Sequence, residues 1–422
     1  MQGRRLGRAL GAALVAVCVV ALVGCSAMVA GVAVKAPDRA EADGAIVALL
    51  DTGDYPTTAN HPFGTAGNAN TGAMLEAHRL AVNVVGPWQV DPTYRHVAVM
   101  NTTTTSPLPE AKLLSQNNVL ADPMPAVAMA HGFMTGFSSF RRASTKKLLV
   151  NVVLRFPDVD SAGAAAREMA DQYPHADAPA RLVTIDGHPE AIATLYDFPD
   201  GGVGAASFTA RGPYVLVQQL QIEDRYDAAT APVLIGLTLD QQEPLIDRFT
   251  PTDSAKLIDL PKDPTGQLLA RTLWATDGSA PFMIGVWEPG AWLNFEDDPI
   301  KAAGLFKSAG VEAVAQQRAT VYQTHDAAGA TQLVKQFAAD MKATEGAHQI
   351  SGITGLPQAQ CFARQNAAGL LEEPNPPLSW LRVVWPFKCV ARADRYTFTA
   401  FSDSEKDVKQ QMAAQYRILA GK

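Results

Sequence analysis

The alternation of apolar and polar positions predicts a strand followed by a helix in each half of the chain. Residues 148–156 form a nearly continuous apolar run that is typical of a strand, and residues 319–322 form a shorter one. Each run is followed by the pattern Asp-x-Ala-Gly-Ala, which begins at Asp160 in the first half and, as Asp-Ala-Ala-Gly-Ala, at Asp326 in the second. Both aspartates are expected to cap the N-terminus of a helix, because a carboxylate accepts hydrogen bonds from the first free N–H groups.

Further matches extend this internal repeat. Residues 187–191 correspond to residues 355–359 at an offset of 168, and each segment leads into an alternating strand. A later turn precedes strands at residues 215–220 in the first half and 397–401 in the second. Each half then closes with a predicted helix, at residues 229–249 and 404–419 respectively.

The repeated unit predicts an α+β fold. Its order is strand, helix, three strands, helix, which indicates two related antiparallel sheets with helices packed on one face. Pro251, Pro261 and Pro264 interrupt the pattern between the halves. We therefore predict an N-terminal domain at residues 44–255 and a C-terminal domain at residues 256–422.

The N-terminus has the layout of a lipoprotein signal peptide. Three arginines precede an uncharged apolar stretch at residues 9–23, and Gly24 is followed directly by Cys25. We predict a signal peptide at residues 1–24, a lipidated Cys25 and a tether at residues 25–43. The protein would then be held by acyl chains, including palmitate, at the outer face of a bacterial cytoplasmic membrane. The alternative is an uncleaved anchor, although small residues dilute the apolar stretch around Cys25.

Composition favours a globular ectodomain that does not bind nucleic acid. The chain is 47% apolar and 18% charged, and removal of residues 1–24 takes away three arginines and moves the formal net charge from −7 to −10. An acidic chain without a lysine- or arginine-rich run offers little surface for releasing phosphate counterions. The acyl tether is therefore the expected membrane contact.

Cys361 and Cys389 are the cysteines that remain after Cys18 is cleaved off and Cys25 is lipidated. Both lie in predicted strands, and in an oxidising compartment they are expected to form a structural disulfide between neighbouring strands. The alternative, a two-cysteine metal or redox site, lacks the spacing of known zinc motifs and a nearby histidine.

Catalytic motifs are absent from the sequence. His131-Gly132 resembles the oxyanion loop of an α/β-hydrolase, but no G-x-S-x-G elbow accompanies it, and Ser138 and Ser139 are the nearest nucleophile candidates. The structural alternative is a histidine packed in a turn. The eight histidines form no metal-binding motif, and phosphate-binding glycine loops are also missing, so we expect no catalytic metal and no cofactor.

Two polar segments have both structural and functional interpretations. The acidic run Glu296-Asp297-Asp298 precedes Pro299; it could hold a cation, but a cap on a helix at residues 299–308 is favoured. Residues 101–106 are rich in hydroxyls, which fits an exposed loop or an O-glycosylation site. Nearby, the aromatic residues between Trp274 and Phe295 are expected to pack in a core between the domains or to line an apolar groove.

Three N-terminal segments resemble an uncharacterised family of mycobacterial and related actinobacterial envelope lipoproteins. They are residues 50–57, 76–79 and 86–92, and residues 131–137 and 295–299 are also similar. The resemblance implies an envelope location and a two-part ectodomain with a distinct C-terminal domain, without implying a reaction. Its recurrent polar residues are expected to hold the long N-terminal loop in place, or alternatively to mark a site: Tyr55, Glu76, Arg79 and Asp91.

Two functional hypotheses follow. The first is a membrane-anchored lipoprotein that binds an envelope lipid, glycan or protein partner without catalysis, in a groove between its domains. The second is an envelope hydrolase built on His131 and Ser138 or Ser139. The missing motifs favour the first hypothesis, because a function has to be argued from a site.

Overall fold

The N-terminal half contains a seven-stranded antiparallel sheet. The structure is a computed structural model that describes residues 43–97, 105–174, 179–199, 201–274, 283–365 and 382–422. The predicted signal peptide, Cys25 and residues 101–104 lie outside these ranges. The order of the strands in the sheet is β1-β2-β3-β7-β6-β5-β4. Their bounds are β1 Ser106–Leu108, β2 Thr135–Ser144, β3 Lys147–Arg155, β4 Arg181–Val183, β5 Ile192–Asp197, β6 Val203–Arg211 and β7 Tyr214–Ile222.

The C-terminal half repeats this sheet strand by strand. Its order, β8-β9-β10-β14-β13-β12-β11, is the same as that of the first sheet when the strands are numbered from β8. The predicted repeat and the α+β class are therefore confirmed. The bounds are β8 Gly285–Trp287, β9 Val311–Gln316, β10 Thr320–Thr324, β11 Ala347–Ile350, β12 Gln360–Arg364, β13 Phe387–Ala393 and β14 Tyr396–Ser402.

α-Helices connect and cover these strands within the described ranges. Five of them carry most of the packing discussed below, namely α5, α6, α8, α9 and α10. The bounds are α1 Ala69–Leu80, α2 Pro87–Val90, α3 Leu113–Gln116, α4 Met124–Ala130, α5 Val159–Gln172, α6 Thr230–Ile246, α7 Pro289–Trp292, α8 Pro299–Ala309, α9 Ala327–Ala343 and α10 Glu405–Ala420.

Each half contains three more strands than the predicted unit. The additional strands of the N-terminal half are β1, β2 and β4. Two of these have only three residues, and β1 contains a proline, so their sequences carry little strand signal. The remaining strand, β2, includes Ser138, Ser139 and Arg141, all buried. Polar residues that are buried by tertiary contacts conceal the alternation on which the prediction depends.

The helices pack on both faces of each sheet, so the prediction of helices on one face was wrong. On β3, Val150, Val152 and Leu154 share a core with α5, whereas Leu149 and Val153 share another core with α6. In the C-terminal half α9 and α10 cover opposite faces in the same way. A strand covered on both faces is apolar at almost every position, which explains the continuous run at residues 148–156.

Acidic side chains cap several helices. Asp158, and not the predicted Asp160, caps α5 by accepting from the Ser161 N–H at 2.8 Å. Asp326 caps α9 as predicted. Asp298 caps α8, accepting from the N–H groups of the second and third helical residues, so the acidic run does include a helix cap.

Aromatic side chains join the two halves in one core. Trp287, Trp292 and Phe295 are at most 7% exposed, and both Trp287 and Phe295 contact Phe137 on β2 edge to face. The predicted core packing between the domains is therefore present for these residues. By contrast, Trp274 is 40% exposed and stacks on Phe63 outside this core.

Arg141 of β2 forms a polar contact between the halves at the edge of this core. It is only 2% exposed, and its Nη2 donates to the carbonyl oxygens of Leu293, Asn294 and Glu296 at 3.3, 2.9 and 2.8 Å. Ser139 Oγ adds a 2.6 Å hydrogen bond to Asn294 Oδ1. The backbone between α7 and α8 thus surrounds a buried cation of the other half.

The segment that precedes α1 packs against the C-terminal half, although the predicted N-terminal domain includes it. Ala45 belongs to the core under α10, the Ile46 N–H donates to Gly355 O at 2.7 Å, and Tyr55 Oη donates to Asp407 at 2.6 Å. A cut after residue 255 would therefore separate these contacts. Tyr55 here has the structural role that the sequence favours.

Glu76 has a similar structural role in α1. Its side chain is fully buried and accepts from Arg155 Nη1 at 2.9 Å, from Arg79 Nη1 at 2.5 Å, and from both the N–H and the hydroxyl of Thr252. These bonds attach the segment after α6 to α1. Asp91, the last of the recurrent polar positions, accepts from Thr93 within its own turn.

Cys361 and Cys389 form the predicted disulfide. They stand directly opposite each other on β12 and β13, and both are fully buried. No helix in the part of the chain that the structure describes is long and apolar enough to cross a membrane.

Removal of the disulfide is expected to destabilise the C-terminal half. The crosslink joins residues 28 positions apart, and closing such a loop contributes about 3 to 4 kcal/mol in the chain-entropy treatment. We expect the Cys361→Ala/Cys389→Ala variant to lose that amount in urea unfolding. Wild-type protein unfolded in reductant should match the variant, and equal stability of oxidised wild type and variant would contradict the prediction.

Replacement of Arg141 is expected to be more damaging than replacement of its neighbour. Arg141→Met leaves three buried carbonyl groups without their donor, which should cost about 3 kcal/mol or more. Arg142→Met on the same strand removes a partly exposed guanidinium beside the ring of Phe140 and should cost less than about 1 kcal/mol. Urea unfolding measures both, and equal losses would show that the carbonyl contacts contribute little.

Candidate functional site

A cavity of about 280 Å³ lies between helices α8 and α9 and the sheet of the C-terminal half. Strands β10, β13 and β14 form its floor, and the segment before α8 forms one wall. Its polar lining combines four carboxylates with three cations, and its apolar lining includes two phenylalanines. The charged and phenolic residues of the lining are Glu296, Asp297, Asp298, Lys301, Tyr322, Asp340, Arg382 and Lys388.

Glu296 is the most constrained acid of the cavity. Its Oε1 accepts from Trp292 Nε1 and from Tyr322 Oη, both at 2.7 Å. Trp292 is held in the aromatic core, and the backbone carbonyl of Glu296 accepts a hydrogen bond from Arg141. Both the partner of the carboxylate and the backbone that carries it therefore have fixed positions. Its position therefore depends on contacts with the N-terminal half.

Arg382 lies beside this carboxylate. Its Nη2 is 3.6 Å from Glu296 Oε1, its Nη1 donates to Phe295 O, and its guanidinium lies over the Trp292 ring at 5.2 Å. Burial and the adjacent charge of Glu296 raise the pKa of Tyr322 well above its usual value. The phenol therefore remains a hydrogen-bond donor throughout the physiological range.

Lys388 is the cation of the cavity that lacks a partner. It is partly buried on β13, and none of the described residues provides its ammonium with a hydrogen bond or an ion pair; its nearest recorded contact is the Trp385 ring at 5.9 Å. Burial lowers the pKa of Lys388, although the negative charge of Asp297 partly opposes this effect. A desolvated cation without an acceptor favours a bound group that supplies one.

Three further carboxylates line the cavity. Asp340 forms an ion pair with Lys301, and Asp298 is 3.3 Å from Arg95 of the N-terminal half in addition to capping α8. Asp297 is exposed and has no recorded partner among the described residues. The cavity thus offers both a cation, Lys388, and a carboxylate, Asp297, for hydrogen bonding to a polar molecule.

The hydrolase residues do not form a catalytic pair. His131 Nε2 lies 2.7 Å from Glu168 Oε2 on α5, whereas Ser139 Oγ donates to Asn294 across the interface between the halves. Ser138 is fully buried on β2, and its Oγ has no hydrogen-bond partner among the described atoms. His131 is placed in the turn after α4, as the structural alternative expects.

The hydroxyl-rich stretch is described only at its end. Thr105 Oγ1 donates to Phe140 O at 3.2 Å, and Ser106 is fully buried on β1, where it accepts from Asn117 Nδ2 at 3.0 Å. Ser106 is therefore part of the sheet, Thr105 is hydrogen-bonded to its neighbouring strand, and neither residue is an exposed glycosylation site. Residues 101–104 remain a prediction.

Lys388, Arg382 and Tyr322 are not among the residues predicted from the sequence. Lys388 had a signal, since it and Arg392 are the two charged residues of the otherwise apolar strand Phe387–Ala393. The period of two along a strand puts it on the same face as Val390, under α9. Arg382 and Tyr322 meet Glu296 only through folding, and no local pattern predicts that contact.

One histidine lies in a group of carboxylates, although the histidines form no metal-binding motif in the sequence. His188 and Glu190 lie two positions apart, and Glu243 on α6 completes the group in space. Burial disfavours the charged imidazole, but hydrogen bonds with Asp240 and Glu243 outweigh it and raise the pKa of His188.

A second, larger cavity of about 450 Å³ lies beside the C-terminus. Its guanidinium groups mostly have partners already: Arg271 donates to Tyr396 Oη at 2.9 Å, and Arg395 is 3.5 Å from Glu312. We place the candidate site in the smaller cavity because it contains the unpartnered Lys388.

Comparisons with known proteins give a family without an assigned activity. A search of curated proteins gives no match. Among solved structures, the extracellular domain of PknH from Mycobacterium tuberculosis is similar at 11% identity and a TM-score of 0.28, over 40% of this chain and 96% of that chain. Residues 63–262 match the N-terminal domain of unknown function DUF7373, and residues 268–422 match its C-terminal counterpart. The chain therefore belongs to the DUF7373 family.

Proposed function

We propose that this protein is an extracytoplasmic lipoprotein that binds a small polar ligand without catalysis. Lipidation of Cys25 would tether it to the outer face of the membrane, and the charged cavity of the C-terminal half would hold the ligand. The observation that carries the binding proposal is Lys388, a partly buried ammonium that faces the cavity without an acceptor among the described residues.

The size of the cavity supports a small molecule as the ligand. Pockets for drug-sized ligands measure about 300 to 1,000 Å³, and a cavity of about 280 Å³ is at the lower end. An acyl chain is a poor fit because the rim carries several charged groups that it would desolvate. A glycan terminus or another small polar molecule agrees better with this lining.

The charges define what the ligand must present. It needs an acceptor or an anionic group for Lys388, and hydroxyl or amino donors for Asp297. Tyr322, Phe337 and Phe401 provide apolar surface between these groups. A sugar with an acidic or phosphorylated substituent combines all three features.

The hydrolase alternative has less support. His131 is hydrogen-bonded to Glu168, and the neighbouring serines are buried on β2. A nucleophile has to lie within hydrogen-bond reach of its base and has to be open to substrate. A fluorophosphonate probe that labels wild type but not Ser138→Ala or Ser139→Ala would support the hydrolase instead.

Native mass spectrometry tests the binding proposal. The full-length protein, purified in detergent from the envelope of a bacterial host, is expected to carry a small polar molecule that is lost in Lys388→Met. Lys335→Met is the matched control, since Lys335 is exposed on α9 outside the cavity. Equal ligand occupancy in the Lys388 and Lys335 variants would exclude the cavity as the binding site.

The unpartnered charge also predicts an unusual effect on stability. In ligand-free protein, Lys388→Met should be as stable as wild type or more stable, by on the order of 1 kcal/mol at pH 7, because it removes an uncompensated buried cation. The lowered pKa means that the folded chain releases this proton at a lower pH than the unfolded chain does. Wild type should therefore regain stability relative to the variant as the pH rises towards 10.5.

Urea unfolding at pH 7 and at pH 9.5 measures this difference. Lys335→Met serves again as the control, and its difference from wild type should not depend on pH in the same way. A clear loss of stability in Lys388→Met at pH 7 would indicate a structural ion pair for Lys388 and would contradict the proposed role.

Lipidation has its own test. Wild type should partition into the detergent phase of a phase-separating detergent and incorporate labelled fatty acid, and Cys25→Ser should lose the label. Cys18→Ser, which changes a cysteine within the predicted signal peptide, is the control and should keep it. An unlabelled wild type that still partitions into detergent would favour the uncleaved anchor.

A further inference from the structure

His188 lies in the connection between β4 and β5, where it is packed against α6. The connection turns at Gly187, whose φ is +81°, and the His188 N–H donates to Ile185 O at 3.0 Å. The imidazole is 6% exposed. It therefore has a fixed position relative to the carboxylates around it.

Three carboxylates surround this imidazole. Nδ1 is 2.9 Å from Glu243 Oε1 and 3.7 Å from Glu190 Oε1, and Nε2 is 3.0 Å from Asp240 Oδ1. Asp240 and Glu243 are three positions apart on α6, which places them on one face of the helix. The possible ligand atoms, one from each of His188, Glu190 and Glu243, all lie within 4.8 Å of one another.

We propose that His188 Nδ1, Glu190 and Glu243 bind one divalent transition-metal ion, of which zinc fits best. In a tetrahedral zinc site with ligands at about 2.0 to 2.2 Å, the donor atoms stand about 3.3 to 3.6 Å apart. The separations of 2.9 and 3.7 Å from Nδ1 bracket this range. Small movements of the two glutamates would therefore admit the ion.

The neighbouring groups orient these ligands. In the metal-free protein Nδ1 shares a proton with Glu243 at 2.9 Å. An incoming ion would replace that proton, while Asp240 would continue to accept from Nε2–H, which is the carboxylate–histidine–metal arrangement of many zinc sites. Arg211 Nη1 is 3.1 Å from Glu243 Oε2, which leaves Oε1 for the ion. Glu190 is 46% exposed, so the fourth position faces solvent and can take water.

The ligand set selects the class of metal. One imidazole nitrogen with two carboxylates is typical of zinc and neighbouring transition metals, whereas calcium requires six to eight oxygen ligands. Cobalt(II) is a suitable probe, because it takes the same ligands as zinc.

The other half of the protein shows that the turn does not need these residues to fold. Gly355 occupies the position of Gly187 with φ +84°, and it is followed by Leu356, which is fully buried, and by Gln358 in the place of Glu190. A buried apolar side chain and a neutral amide therefore suffice at this turn. The chain itself supplies the conservative variants, His188→Leu and Glu190→Gln.

The test is a cobalt(II) titration of the full-length protein, purified in detergent without a histidine tag and treated with a chelator. Visible absorbance reports the coordination of cobalt, native mass spectrometry counts the ions, and zinc competition compares the two metals. We expect one ion per chain in wild type, binding at least tenfold weaker in His188→Leu and in Glu190→Gln, and binding 10- to 100-fold weaker in Asp240→Asn.

His131→Leu is the matched control, because His131 is also paired with a glutamate, at 2.7 Å, but no second carboxylate of the described residues pairs with it. Its affinity for cobalt should equal that of wild type. If His188→Leu fails to fold, Glu190→Gln decides, since its side chain is exposed. Binding of cobalt by these variants at wild-type affinity, or no binding by wild type at millimolar cobalt, would overturn the proposal.

Discussion

The arrangement of the two halves depends on the burial of Arg141. A guanidinium removed from water is stable only where acceptors replace its hydration, and the carbonyl groups of Leu293, Asn294 and Glu296 are those acceptors. Three carbonyl groups converge on one nitrogen only in one conformation of the chain between α7 and α8. The same conformation places Trp292 and Phe295 in the shared core. A contact between the halves thus determines the shape of a site that lies in one of them.

The duplicated topology explains why a disulfide is present in one half. Strands β5 and β6 are joined by five residues, whereas the equivalent strands β12 and β13 are joined by 22, residues 365–386. Loop-closure entropy grows with length, which makes the longer connection more costly by about 1 kcal/mol. The bond between Cys361 and Cys389 closes that longer loop. Its position therefore follows from the difference between two otherwise equivalent strand pairs.

Much of the fold could be predicted from the sequence, because it is encoded locally. The helices at residues 229–249 and 404–419, the cap at Asp326 and the strand pair that carries the disulfide all depend on short-range patterns. The faces covered by the helices and the strand β2 depend on what packs against them. Ser139 and Arg141 look like solvent-facing residues until the other half is in place.

The candidate site was predicted only where it coincides with a local pattern. The acidic run before α8 stands out in the sequence, and one of its residues does cap a helix. The contact of Glu296 with Tyr322 and Arg382 spans 26 residues in one case and 86 in the other. Contacts between residues so far apart in the chain are determined by the topology of the sheet. They produce no periodic pattern in the sequence from which they could be predicted.

Arg141 and Lys388 represent two ways of burying a cation, and the difference between them is informative about function. Arg141 has carbonyl acceptors, so its burial holds the fold together. Burial lowers the pKa of both cations, but Lys388 has no acceptor among the described residues, so its burial opposes folding. Ordering the long, flexible side chain of a lysine there also costs conformational entropy. A structural position would be filled more stably by an apolar residue, whereas a binding site gains from a cation that is already desolvated when the ligand arrives.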